Sequence, residues 1–206
     1  MAFLTAPSAA SDARPPSLGH RGKGRVLYFI FSCWLLLCWL APGVARSQAA
    51  SHEYPLKAVF LLNFAQFTEW PTNNFAGPDD PFVIGVLGRD PFGAVLDETM
   101  RTENKAGHKF VVQRLLRLED ATNCHMLFIS QSEARRVDAI VAAVKGHPIL
   151  TVSEIENSAY QGVTVRFITE NNKIRLRINT NSLAATGLSM SSKLLRVAEL
   201  VPDRKR

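Results

Sequence analysis

Four bases carry the clearest capacity for molecular recognition in this chain: Arg166, Lys173, Arg175 and Arg177. They lie in two stretches that alternate apolar and polar residues, 163–169 and 173–179, joined by Glu170-Asn171-Asn172. A period of two places all four on one face of a β-hairpin, opposite Val163, Val165, Phe167, Ile174, Leu176 and Ile178. Such a face has two readings. It is a solvated outer surface that guards the sheet against aggregation, or a docking surface for an acidic partner or anionic lipid headgroups. Trp70, at the exit of an apolar helix, is the fifth candidate contact, because aromatics are enriched at interfaces.

Catalytic patterns are incomplete wherever they begin. Gly85-Val86-Leu87-Gly88 follows an apolar run but lacks the third glycine of a dinucleotide fingerprint. Gly88 and Gly93 have P-loop spacing, yet Ala94-Val95 stand where Lys and Ser/Thr are needed to hold phosphate. Gly187-Leu188-Ser189-Met190-Ser191 lacks the closing glycine of a nucleophile elbow. His52, His108, His125 and His147 form no i,i+4 pair. The expectation is a protein with no catalytic, metal or cofactor-binding residue, hence no cofactor and no enzymatic activity.

The elements that would position the bases follow from periodicity. Residues 54–67 (YPLKAVFLLNFAQF) read as a helix ended by Pro71, with Phe60, Phe64 and Phe67 as its core stripe. Residues 81–88, 108–115, 124–129 and 147–152 read as strands, of which 81–88 and 124–129 are apolar enough to be buried. Between them Asp90-Pro91 opens a helix to about Met100, and Ser130 to Glu133 opens another through a capping box. Residues 181–200 read as a final helix broken at Gly187, with Leu194, Val197 and Val201 on one face. Strands alternating with helices and then a hairpin predict a single-domain α/β sandwich: a mixed sheet flanked by helices, closed by the hairpin and a helix.

The N-terminus has a different character. Arg21, Lys23 and Arg25 precede an apolar run over residues 26–41, then Pro42-Gly43 and a run of small residues ending in Ala49-Ala50. This is the order of a secretory signal peptide, and the expected cut follows Ala49 or Ala50. An uncleaved membrane anchor is the other reading. The expected organisation is a leader with its extension over residues 1–49, a domain over 53–201 and a basic tail over 202–206. Residues 1–49 hold five of the 24 Lys and Arg and one of the 18 acids, so the remainder carries 19 bases against 17 acids. No nucleic-acid footprint survives that correction. Cys33 and Cys38 fall within the leader and leave Cys124, in the apolar run CHMLFIS, to be read as a buried small hydrophobe.

Three stretches resemble the YfiR-like family of periplasmic proteins: KAVFLLNFAQFTEWP, VIGVLGRDPFG and IRLRINTNSLAATGLSMSSKLLRVAEL. Their order and spacing carry the resemblance across residues 53–201. It implies a compact α/β protein of the periplasm that acts by binding and can form a homodimer. The partner it implies is an inner-membrane diguanylate cyclase or sensor kinase, held down through its periplasmic domain so that cyclic-di-GMP falls. A small-ligand or lipid-binding module reporting to a membrane partner is the alternative. The chain departs from well-known members, which carry paired cysteines. The resemblance supplies no catalytic residue.

Overall fold

The computed structural model describes residues 44–71, 74–75 and 77–202, with side chains from residue 52 onward. The leader assigned to residues 1–49 and the basic tail fall largely outside the described residues. The described residues from Arg46 onward form one compact unit.

Helix α1 spans Val44–Phe67 and so runs through Pro55 rather than starting beside it. Pro55 removes one backbone donor from the ladder. The turn before it is held from outside: Glu53 accepts from Thr169 at 2.7 Å and pairs with Lys57 at 2.6 Å. The buried stripe is Ala58, Leu61, Phe64 and Ala65. Phe67 is 43% exposed and Phe60 only partly buried, so the expected Phe60-Phe64-Phe67 stripe is correct at its centre and wrong at its C-terminal end. At ~100° per residue the axis of burial follows Leu61 and Phe64 and has turned past Phe67. Thr68 takes its place, fully buried as α1 passes into β1 (Thr68–Glu69).

Eight strands then make the main sheet: β2 (Phe82–Leu87), β3 (Asn104–Lys105), β4 (His108–Leu115), β5 (Met126–Ile129), β6 (Leu150–Ser153), β7 (Val165–Glu170), β8 (Lys173–Asn179) and β10 (Ala198–Val201). Their spatial order is β10-β8-β7-β6-β5-β2-β4-β3. The strands from β4 to β7 and β2 run parallel, β8 turns back against β7, and β10 returns parallel to β8. β2, β5 and β6 are buried along their whole length; β2 and β5 accordingly read as unbroken apolar runs, whereas β6 buries Thr151 and Ser153, bonded to the Thr164 hydroxyl and the Ile129 carbonyl. β1 pairs with β9 (Ser189–Met190) in a separate two-stranded ribbon.

The helices cover both faces. α1 and α2 (Ala94–Arg101) pack on Phe82, Ile84, Met126, Phe128, Val152 and Phe167. α3 (Val137–Val144) packs on Leu87, Leu127, Ile129 and Val163 from the other side. This is the α/β sandwich with a mixed sheet that the sequence predicts.

Several boundaries differ. α2 begins at Ala94 and not at Asp90, because the Asp90 carboxylate accepts from the Phe92 amide in a local turn and Gly93 has φ 57°. A short 3-10 turn over Gln131–Glu133 stands where the capping box predicts α-helix; the Ser130 hydroxyl donates instead to the Arg89 carbonyl. Val163 lies ahead of β7 and packs on the face opposite Val165 and Phe167. The final helix is only α4 (Thr180–Ala185) and α5 (Ser192–Leu195), followed by β10. Val201 is buried through strand pairing opposite Asn179, and Val197 is exposed, so the helical face Leu194-Val197-Val201 does not form.

Candidate partner-binding surface

The hairpin β7–β8 is built by alternation. Val165, Phe167, Leu176 and Ile178 enter the core beneath α1. The turn Asn171-Asn172 has φ 50° and 58°, the pair of left-handed residues that a two-residue hairpin loop needs. The outward ladder then follows from register: Arg166 opposite Arg177, Ile168 opposite Arg175, Glu170 opposite Lys173. All four bases singled out in the hairpin therefore share one surface.

Their environments differ. Lys173 and Arg175 are exposed, and Arg175 stands 3.9 Å from Glu170. Arg177 is half-buried, bonded to Glu199 of β10 at 2.8 Å, with its guanidinium 5.3 Å from the centre of the Tyr160 ring. The hydrogen bond to Glu199 raises its pKa further above the ordinary value. Arg166 is half-buried beside it and has no ion pair among the described residues. Burial first, and then repulsion from Arg177, lower its pKa. The Nε atoms of both arginines are buried with no acceptor among the described residues.

Trp70 lies elsewhere. Its indole N–H donates to the His125 carbonyl at 3.2 Å and its ring meets Phe82 edge-on at 4.8 Å. It packs on the α1 side of the sheet, whereas the arginines project from the opposite face. Its remaining surface lines an open cavity of about 360 Å³ with Phe75, Lys105 and His108. Around it runs a stack of rings in which Phe75 lies between His108, at 3.8 Å, and His125, at 4.5 Å.

Periodicity did not reveal the buried cluster at the C-terminal end of β6. Lys57 of α1 is 2% exposed and lies between two carboxylates, Glu53 at 2.6 Å and Glu154 at 2.5 Å. Tyr54 donates to Glu154, and the Lys57 ammonium also sits over the rings of Tyr54 and Phe167. Burial, followed by the charge of Glu154, pushes the Tyr54 phenol up to about 12, so it stays a donor. The one signal for this cluster was a lysine within the most apolar stretch of the helix.

The loop after β2 sits at the switch point, where β4 and β5 flank β2 and where open α/β sheets place ligands. Here the crevice is closed by the chain itself. The Arg89 amide donates to Ser132 Oγ at 2.9 Å, and Ser130 Oγ donates to the Arg89 carbonyl at 2.6 Å. Gly88 has φ 91°, and a Cβ there would collide with the side chains of Ser132 and Glu133. Among the described residues, no group of three or more His, Cys, Asp or Glu is arranged to hold a metal ion.

No curated protein matches the sequence. The profile of the DUF4154 family, described as YfiR/HmsC-like, matches residues 54–199. That span takes in Tyr54, Lys57 and Glu154, the arginine ladder and the start of β10, and covers most of the described domain. The chain belongs to the YfiR/HmsC-like family.

Proposed function

We propose that this protein is a periplasmic regulator that binds and represses an inner-membrane signalling protein, a diguanylate cyclase or sensor kinase, and so lowers cyclic-di-GMP output. Membership of the YfiR/HmsC-like family supports the periplasmic setting, the membrane partner and the cyclic-di-GMP theme. The observation that carries the binding step is the hairpin ladder, which gathers Arg166, Lys173, Arg175 and Arg177 on one surface of β7–β8. A pair of strands bonded into an eight-stranded sheet is a rigid platform, so little conformational entropy is lost when a partner docks. The protein acts by occupancy, without catalysis of its own.

Capture from detergent-solubilised inner membranes tests this reading. The tagged protein should retain a diguanylate cyclase or a sensor kinase, and a Lys173→Glu/Arg175→Glu variant should retain less of it. Recovery of neither class of enzyme would count against it.

A second reading is favoured by one feature. A cavity of about 630 Å³ lies between α3 and α4, walled by Val141, Val144 and Ile149 and by the polar Thr151, Thr164 and Ser182. Its volume suits a small metabolite. A small molecule that copurifies with the protein and is displaced by Val141→Trp would support a ligand-reporting module.

A further inference from the structure

We propose that Arg166 and Arg177 form a carboxylate-binding pair that receives an acidic side chain of the protein partner. This deepens the regulatory reading above and rests on it.

The ladder itself gives the argument. At the hairpin tip Glu170 faces Lys173, the opposite-charge pairing that stabilises an antiparallel ladder. Four residues nearer its base the same two strands set arginine directly against arginine. Like charges in that relation oppose the fold. Arg177 is held from its far side, by Glu199 at 2.8 Å and by the face of Tyr160. Arg166 has no such ion pair among the described residues, and only the more distant charges of Glu156 and Glu170 reach it. Each arginine also keeps a buried Nε–H without an acceptor there. The pair therefore offers one half-buried guanidinium without an ion pair beside a second already fixed in place. A carboxylate is planar and has two oxygens, so it matches the guanidinium fork in shape as well as charge.

The surroundings select the source of that carboxylate. Glu170 and Glu199 flank the ladder, so an extended anionic surface such as a membrane would be repelled at its margins. A single acidic side chain passes between them. Ile168, half-buried next along β7, adds an apolar contact that a peptide can use and a free anion cannot.

The test follows the arginine Nε–H resonances of the full-length protein by NMR. Three probes are titrated at matched ionic strength: a capped peptide with one glutamate between leucines, acetate, and vesicles of anionic lipid. The peptide should shift the Arg166 and Arg177 resonances to saturation, with acetate and vesicles producing little change. Arg166→Gln should weaken the peptide by roughly tenfold. Arg166→Lys, which keeps the charge and loses the fork, should recover only part of that and confirms that the fold is intact. Shifts no larger than those from sodium chloride, equal shifts from acetate, or saturation by vesicles alone would each overturn the pairing. In cells, full repression by Arg166→Gln would overturn it as well and leave the regulatory function standing. If deleting the protein changes no signalling output, the regulatory function falls, and the peptide titration still decides the site.

Discussion

Lys57 and Glu154 are bonded at 2.5 Å although 97 residues separate them, and the contact fastens the middle of α1 to the C-terminal end of β6. An ammonium that is 2% exposed needs its partners, because the desolvation of both charges is offset only by the contact itself. Lys57→Ala strands two carboxylates against Tyr54 and Phe167. It should cost ~3–5 kcal/mol in a urea melt. A cycle with Glu154→Gln should show coupling, since the two share a hydrogen bond. Additive losses would show that Glu53 alone satisfies the lysine.

The α1 stripe separates core from surface. Phe64 is fully buried and stacks on Phe167 at 5.6 Å, so Phe64→Ala should cost ~3–5 kcal/mol. Phe67→Ala should stay within about 0.5 kcal/mol of wild type. Circular dichroism melts of the two variants decide this, and the reverse order of losses would mean that α1 is rotated on the sheet.

Cys124 is a packing residue. Its Sγ fills the space that a Cβ on Gly85 would need, and burial foremost pushes the thiol up to about 11. It should label slowly with a thiol reagent at neutral pH, and only as fast as the protein opens. Gly85→Ala should be more damaging than Cys124→Ser, because Leu115 and Leu127 close in on the same point. Fast labelling of native protein would contradict this.

His125 makes stability depend on acid. Its Nδ1 accepts from the Val83 amide at 3.0 Å, which requires the neutral ring. Burial foremost, aided by the neighbouring His108, lowers its pKa below the ordinary value of about 6.5. A folded pKa below the unfolded one means that the unfolded state takes up the proton first. The stabilisation is complete above about pH 6.5 and is lost as pH falls through the lowered value. Denaturant melts from pH 7.5 to 5 should show this decline, and His125→Gln should flatten it. A wild-type melt independent of pH across that window would remove His125 as its source.

These contacts also show where the sequence was legible. β2 and β5 are buried on both faces, so hydrophobicity alone located them. The hairpin was readable because alternation and the Asn171-Asn172 turn agree. The last segment was not, since Leu194, Val197 and Val201 fit a helical period equally well. Only pairing with β8 makes Ala198–Val201 a strand, and pairing is a property of the whole sheet. Of the site, the bases and their shared face were readable. The opposition of Arg166 to Arg177, the support from Glu199 and the Lys57–Glu154 contact depend on register and on distant residues. Trp70 was legible as a helix exit, but its bond to the His125 carbonyl joins residues far apart in the chain.

The most direct test of the regulatory account is the cyclic-di-GMP level of a strain lacking this protein, measured beside the same strain complemented with wild type. The account predicts a rise on deletion that wild type reverses. An unchanged level, in cells shown to contain an active membrane cyclase, would contradict it.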